Sequence, residues 1–210
     1  MNKAGELIFL IDDDESVRTS LSLFLQLNGY SIESFENAED YLDREKHVGA
    51  GCIILDVNLS GKSGLELQQE LINRNSHLPI IFITGYANIH TSVHTLKKGA
   101  VNYLEKPFEE EEILQSVSEA LELSRKNLAD SEEIQNARQL IQKLTSKEQE
   151  VLTYLITGML NKQIADKLNI VEHTVKIHKR SIYEKLGVRS VPEIIHIAYQ
   201  AGILSAEKKP

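Results

Sequence analysis

The stretch Leu7-Ile-Phe-Leu-Ile-Asp-Asp-Asp-Glu15 decides the fold of the first half of the chain. Its five apolar residues form a short run typical of a buried strand, and its acids stand where that strand ends. A helix-length amphipathic stretch, Glu15–Leu27, follows directly. A strand followed by a helix predicts the first unit of an alternating α/β fold.

The same alternation continues to residue 121. It predicts further strands and helices, in the order Ile32–Phe35, Asn37–Lys46, Cys52–Leu55, Leu65–Asn73, Ile80–Ile83, Ile89–Lys98, Val101–Leu104 and a last helix from about Glu110. Nearly continuous apolar strands require a parallel sheet covered on both faces, and right-handed crossovers make it doubly wound. We therefore predict a doubly wound (βα)5 domain over residues 1–122.

The charge of the chain is divided unevenly. The 210 residues carry a net charge of −8, which taken alone argues against nucleic acid as a partner. Residues 1–121 hold 9 Lys/Arg against 20 Asp/Glu, residues 122–143 hold 4 against 4, and residues 144–210 hold 10 against 7. The densest basic patch lies within Thr174–Arg189. This asymmetry is typical of a nucleic-acid module joined to an acidic domain.

Polar residues follow four of the predicted strands, and parallel strands bring their carboxyl ends to one edge of the sheet. Carboxylates gathered there repel one another unless a cation joins them, and hard oxygen ligands suit Mg²⁺. Asp14 and Glu15 have the alternative of capping a helix. The residues expected at this edge are Asp12, Asp13, Asp56, Thr84, Lys106 and Pro107.

The motifs Phe9–Leu21, Ile54–Asp56, Ile83–Ala87 and Lys98–Phe108 resemble the response-regulator receiver domain over about residues 6–122. The resemblance implies that Asp56 accepts a phosphoryl group and that Mg²⁺ is bound. It implies metal ligation by Asp13 and Asp56, by Asp12 through water and by the Asn58 backbone carbonyl, phosphoryl contacts from Thr84 and Lys106, a switch role for Tyr103, and a cis Lys106–Pro107 peptide.

Two features of this half complicate the resemblance. The family usually has proline four residues after the acceptor, whereas this chain has Ser60, and loss of the ring is expected to loosen the loop. The Asp12-x-Asp14 pair also resembles the nucleophile motif of haloacid-dehalogenase-type phosphatases, which would make Asp12 the phosphorylated residue. That alternative leaves Asp56 without a role.

The last 67 residues lack strand patterns and predict four short helices, Ser146–Thr157, Asn161–Leu168, Glu172–Leu186 and Pro192–Gln200. Residues 123–143 have no Pro or Gly and predict a partly helical linker. The motifs Leu144–Leu152, Gly158–Ala165, Thr174–His178 and Lys185–Val188 are similar to LuxR-type helix-turn-helix domains. The two halves together resemble the NarL/FixJ family, so a DNA-binding domain is expected over 144–210.

In that family the third of these helices enters the major groove. The resemblance implies base contacts from Lys176, Ile177 and Arg180, and phosphate contacts or positioning from Lys162, Thr174, His178 and Lys179. Helical spacing independently places Lys176, Lys179 and Arg180 on one face. Leu160 and Val171 stand at helix starts where the family usually has hydroxyl caps, so the recognition helix is expected to fray at its start.

The sequence therefore predicts a cytoplasmic, phosphorylation-controlled transcription regulator that is not an enzyme beyond Mg²⁺-dependent self-phosphorylation and autodephosphorylation. The expected partners are a sensor histidine kinase, double-stranded promoter DNA, RNA polymerase and, on phosphorylation, a second copy of the chain. Dimer faces are expected at Ala87–Lys106 and Val191–Ala201 by analogy with the family. The alternative is a constitutive DNA-binding regulator with an unphosphorylated receiver, and no membrane segment is expected.

Overall fold

A computed structural model describes residues 6–85 and 99–204 of the chain. The predicted helix Ile89–Lys98 lies outside the described residues, as does most of the predicted dimer face Ala87–Lys106. The chain divides into two compact units, residues 1–129 and 130–210.

The first unit contains a five-stranded parallel sheet, as the apolar runs predict. Its strands lie in the order β2-β1-β3-β4-β5, so that the chain crosses over β1 to pass from β2 to β3. This order confirms the doubly wound α/β fold. The strands are β1 (Leu7–Ile11), β2 (Ser31–Phe35), β3 (Gly51–Asp56), β4 (Ile80–Thr84) and β5 (Asn102–Glu105).

Helices cover both faces of this sheet because the central strands β1, β3 and β4 carry buried apolar residues on both sides. Phe9 and Ile53 pack with Leu67 on one face, and Ile8 and Ile54 pack within a second cluster on the other. The helices are α1 (Glu15–Leu27), α2 (Ala38–Asp43), α3 (Gly64–Asn73) and α4 (Glu110–Gln142). Helix α4 continues without a break to Gln142 and so includes all but the last residue of 123–143, for which the sequence predicts a partly helical linker.

The only cysteine of the chain, Cys52, is buried in β3. Burial raises the pKa of its thiol to about 12, so the thiol stays protonated and unreactive at neutral pH. It is a core residue, as the apolar residues beside it predict.

The second unit is helical and packs around an apolar core. Its helices are α5 (Ser146–Leu155), α6 (Asn161–Leu168), α7 (Glu172–Leu186) and α8 (Val191–Gln200). Val151, Ile164, Val175, Ile182 and Ile194 are fully buried in the core. No helix in residues 6–85 and 99–204 is long and apolar enough to cross a membrane.

A buried carboxylate joins α5 to α7. Glu148 is 5% exposed, accepts hydrogen bonds from Ser181 and Lys185 at 2.6 Å each, and closes a capping box with Thr145. Burial raises the pKa of Glu148, but the hydrogen bonds from Lys185, Ser181 and Thr145 outweigh it and lower the pKa to about 2. Lys185, which belongs to the predicted basic patch, is thus turned toward the core.

We expect Glu148→Gln to lower the free energy of unfolding of the second unit by about 2–3 kcal/mol at pH 7, because it leaves Lys185 without its charge partner. The folded pKa lies below the unfolded one, so the contribution is complete above pH 4.5 and is lost as pH falls toward 2. The difference between variant and wild type should therefore shrink by about half between pH 7 and pH 3.

Urea unfolding followed by NMR signals of the Val151 and Ile182 amides measures this difference within the second unit. Glu150→Gln is the matched control, since Glu150 is 44% exposed and pairs with Lys147 on the surface. A difference that persists unchanged at pH 3 would contradict the assigned ion pair.

Candidate functional site

The register of the sheet brings four predicted site residues to one edge. Ile11 pairs with Leu55, so the next residues, Asp12 and Asp56, stand side by side beyond β1 and β3. Thr84 ends β4 and pairs with Glu105, the last residue of β5, and Lys106 follows it. The parallel order therefore assembles Asp12, Asp56, Thr84 and Lys106 from four different strands.

Lys106 joins the two carboxylates. Its Nζ donates to Asp12 Oδ2 at 2.5 Å and to Asp56 Oδ1 at 2.8 Å, while Asp12 and Asp56 are 1% and 5% exposed. The Lys106–Pro107 peptide is cis, as the resemblance implies. Burial, only partly offset by the Lys106 hydrogen bond, raises the pKa of Asp12. Burial lowers the pKa of Lys106, but hydrogen bonds to Asp12 and Asp56 outweigh it, and the net pKa is raised. The ammonium thus remains charged at neutral pH.

The second oxygen of Asp56 is held by its own loop. The Asn58 backbone N–H donates to Asp56 Oδ2 at 2.6 Å, and the Asn58 side-chain amide lies 3.4 Å from Thr84 Oγ1. Thr84 is fully buried, so its hydroxyl is fixed beside this loop. Both oxygens of Asp56 therefore have hydrogen-bond donors before any ligand arrives.

Asp13 is exposed and has a backbone partner that the pattern of side chains does not reveal. The Ser60 N–H donates to Asp13 Oδ2 at 3.0 Å. Proline at this position would have no N–H to donate. The departure from the family pattern that is expected to loosen the loop thus also supplies a hydrogen bond to a predicted metal ligand.

Gly64 and Arg18 also shape the site, although neither was predicted. A Cβ on Gly64 would lie 2.2 Å from the Asp56 carbonyl oxygen, so only glycine allows α3 to start this close to the acceptor. Arg18 Nη1 donates to the Asp12 carbonyl at 2.7 Å. Arg18 lies one turn after Asp14, the N-cap of α1. In the sequence, only this spacing indicates that Arg18 lies near the site.

Tyr103, the predicted switch residue, lies on β5 with its ring centroid 6.4 Å from that of Phe82. Its side chain packs against the core on one face of the sheet. Its hydroxyl is buried without a hydrogen-bond partner in the described part of the chain. A buried hydroxyl without a partner is costly, and the switch role of Tyr103 stays a prediction.

The acids at this edge suit a hard cation by their chemistry. Asp12 and Asp56 are buried neighbours that share one ammonium, and two such carboxylates favour additional positive charge. Within residues 6–85 and 99–204, however, no three His, Cys or carboxylate side chains are grouped as a ready metal site. Asp13, held by Ser60, would have to turn toward the other two carboxylates.

The outer face of α7 carries the residues predicted to contact bases. Ile177 is 55% exposed, and the Lys176 and Arg180 side chains are 60% and 83% exposed. Both cations pair with glutamates of the same helix, Lys176 with Glu172 at 3.0 Å and Arg180 with Glu184 at 2.9 Å. The net positive charge of this face is therefore lower than the count of charges within Thr174–Arg189 suggests, because that range leaves out Glu172.

The residues predicted to contact phosphates surround this face. Lys162 is exposed, and Thr174, His178 and Lys179 are partly buried. Lys179 Nζ donates to Asn161 Oδ1 at 3.0 Å and so ties α7 to the start of α6. The Leu160 and Val171 side chains make no cap hydrogen bond, as their chemistry predicts.

Comparison with known protein families accounts for both units. Residues 8–118 match the response regulator receiver domain, and residues 142–198 match the luxR family of bacterial regulatory proteins. These ranges contain the acidic edge of the sheet and the exposed face of α7.

Several known proteins are similar to this chain along nearly its whole length. Nodulation protein W of Bradyrhizobium diazoefficiens is 37% identical, with 94% of this chain and 87% of that protein covered. The transcriptional regulatory protein FixJ of Azorhizobium caulinodans is 34% identical, with 95% of each covered. The solved structure of the response regulator StyR has a TM-score of 0.81 at 38% identity, covering 94% of this chain and all of that one.

The receiver match, the luxR match and the full-length relatives agree with the architecture of the two units. The chain therefore belongs to the NarL/FixJ family of response regulators, with a receiver domain followed by a LuxR-type DNA-binding domain.

Proposed function

We propose that Asp56 is phosphorylated by a sensor histidine kinase and that this controls transcription through the DNA-binding domain. The observation that carries the proposal is the Lys106 ammonium, 2.8 Å from Asp56 Oδ1 at the carboxyl edge of the sheet. A carboxylate can accept a phosphoryl group when positive charge and hydrogen-bond donors stabilise the equatorial oxygens. The protein itself turns over no separate substrate.

The residues around Asp56 have different roles in this phosphoryl transfer. Once Asp56 carries the phosphoryl group, Lys106 pairs with the phosphoryl oxygens, and the Thr84 hydroxyl donates a hydrogen bond to them. Asp12, Asp13, Asp56 and the Asn58 backbone carbonyl would hold Mg²⁺. The metal, when bound, neutralises charge on the transferred group. Asp12 keeps Lys106 at the site in the absence of phosphate.

We propose that Thr84 and Tyr103 carry the switch. Movement of Thr84 toward the phosphoryl group changes the packing next to Tyr103, whose buried hydroxyl then gains a different environment. The receiver surface around β5 is the surface remodelled in this way. It overlaps the proposed dimer face Ala87–Lys106.

The second proposed dimer face is on α8. Ile195 and Tyr199 are 37% and 55% exposed and lie four residues apart on one side of the helix. Pairing through Val191–Ala201 would cover these side chains and double the number of phosphate contacts on DNA. We expect the dimer to form on phosphorylation and to recruit RNA polymerase.

The boundaries we propose are a receiver over 1–122, a linker over 123–143 and a DNA-binding domain over 144–210. The family matches at 8–118 and 142–198 support this division.

A cytoplasmic location follows from the proposed partners, a kinase phosphodonor and chromosomal DNA.

We expect Asp56→Asn to abolish phosphorylation by acetyl phosphate and Mg²⁺, because the amide cannot form the acyl phosphate. Intact-protein mass and peptide mapping measure the label. Asp43→Asn, at an exposed carboxylate at the end of α2, should be labelled like the wild type. Label that persists in Asp56→Asn, or that maps to Asp12, would favour the phosphatase. Full DNA binding by the unlabelled protein in cells would favour the constitutive regulator.

We expect Ser60→Pro to tighten Mg²⁺ binding several-fold, because it removes the N–H that occupies Asp13 Oδ2 and frees the carboxylate for the metal. Isothermal titration with Mg²⁺ measures the affinity directly. Ser60→Ala is the matched control, since it keeps the backbone N–H, and it should bind Mg²⁺ as the wild type does. Equal effects of the two substitutions would contradict this role of the backbone donor.

We expect Arg180→Ala to weaken specific DNA binding by about 1–3 kcal/mol if Arg180 reads a base. Anisotropy titrations compare a duplex that the wild-type protein selects from a random pool with a scrambled duplex. Glu184→Gln removes the partner of Arg180 but keeps the cation, so it should bind at least as tightly as the wild type. Equal losses of Arg180→Ala on both duplexes would make Arg180 a phosphate contact instead.

A further inference from the structure

A second charged pocket of the receiver lies at the opposite edge of the sheet from Asp56. Residues 44–47 lead into β3, and residues 74–78 lead into β4, whereas Asp56 and Thr84 are the last residues of those strands. A cavity of about 180 Å³ lies between these two segments. It is therefore separate from the phosphoacceptor site.

Five of the ten described residues that line this pocket are basic, although residues 1–121 have 20 acids against 9 Lys/Arg. The other five are Tyr41, Leu42, Leu71, Ser76 and Leu78. Three permanent cations and two imidazoles line it, and none of its described lining residues is acidic. The basic side chains are Arg44, Lys46, Arg74, His47 and His77. Like charges held around one small cavity repel one another unless an anion joins them.

Arg44 is held in place for such a ligand. Its guanidinium carbon lies 4.0 Å from the ring centroid of Phe9 and 4.4 Å from that of Tyr41. Nη2 donates to the Tyr41 hydroxyl at 2.8 Å and Nη1 to the Glu45 carbonyl at 2.6 Å. Nη1 and Nη2 each keep a second N–H that these bonds do not use. A fixed guanidinium with unused donors loses little entropy when it binds an anion.

Three more basic side chains come from both segments, His47 from the first and Arg74 and His77 from the second. Arg74 is anchored through Glu70 at 2.8 Å and the Leu42 carbonyl at 3.4 Å, and its side chain remains 52% exposed. His47 and His77 are oriented by hydrogen bonds to the Ala50 and Gly49 carbonyls, at 3.1 and 3.3 Å. The basic groups are thus positioned by separate contacts around a shared space.

We propose that this pocket binds a phosphate group, either free phosphate or the phosphate of a small monoester. Donors that approach from two segments suit a tetrahedral oxyanion, and guanidinium groups match its oxygens. The cavity is smaller than the ~300 Å³ at which sites for drug-sized ligands begin, so its size suits a single phosphate group. The bound anion would bridge the segments that precede β3 and β4.

The test is a phosphate titration of the full chain with ¹³C-labelled histidine rings, at constant pH and ionic strength and without Mg²⁺. We expect saturable NMR shifts of the His47 and His77 rings, with His196 of the second unit unchanged. Lys46→Gln/Arg74→Gln, at two exposed side chains, should raise the apparent Kd at least about tenfold. Lys62→Gln/Lys126→Gln removes the same charge outside the pocket and should leave the Kd unchanged.

The same titration is repeated with glycerol phosphate and with succinate, and their affinities are compared with that of phosphate. Tighter binding of glycerol phosphate than of phosphate would identify a monoester as the ligand, and the reverse would identify free phosphate. Succinate that binds as tightly as either would overturn the assignment to phosphate. Shifts that fail to saturate, or that are equal in the wild type and both double variants, would overturn the site itself.

Discussion

The receiver depends on the Lys106 ammonium shared by Asp12 and Asp56. Two buried carboxylates side by side are unfavourable in a protein interior unless positive charge compensates them. Among the described strands β5 is at the edge and pairs with β4, yet its end supplies this charge to residues at the ends of β1 and β3. The ion pairs therefore tie an edge strand to the centre of the sheet. Any change in the charge of Asp56 acts on β5 through the same lysine.

The DNA-binding domain uses its charges in two different ways. Lys185 and Lys179 are turned toward Glu148 and Asn161 and fix α7 against α5 and α6. Lys176 and Arg180 stay on the surface, where glutamates one turn away balance them. Exposed pairs of this kind contribute little to stability and separate at small cost. The net charge of the domain therefore overstates the cations available to DNA, while the orientation of α7 rests on buried contacts.

The residues of the receiver site that stand at the end of a strand were predictable from the sequence. Asp12, Asp56, Thr84 and Lys106 were identified because short apolar runs mark the strands, and parallel strands end at one edge. The hydrogen bond of Ser60 to Asp13 was not predictable, since it uses a backbone N–H that side-chain patterns do not reveal. Gly64 was missed for a related reason. Its importance comes from the close approach of α3 to the Asp56 carbonyl, a distance absent from any local pattern.

The sequence by itself determined the order of strands and helices, the acidic edge of the sheet, the two-part organisation and the face of α7. Those features follow from periodicity and from charge, which are local properties of the chain. Only the tertiary structure decided which charges meet. Glu148 and Lys185 are 37 residues apart, and Arg44 and Arg74 are brought to one cavity by two separate loops. Such pairings depend on how the elements pack in space, so residue type and spacing leave them open.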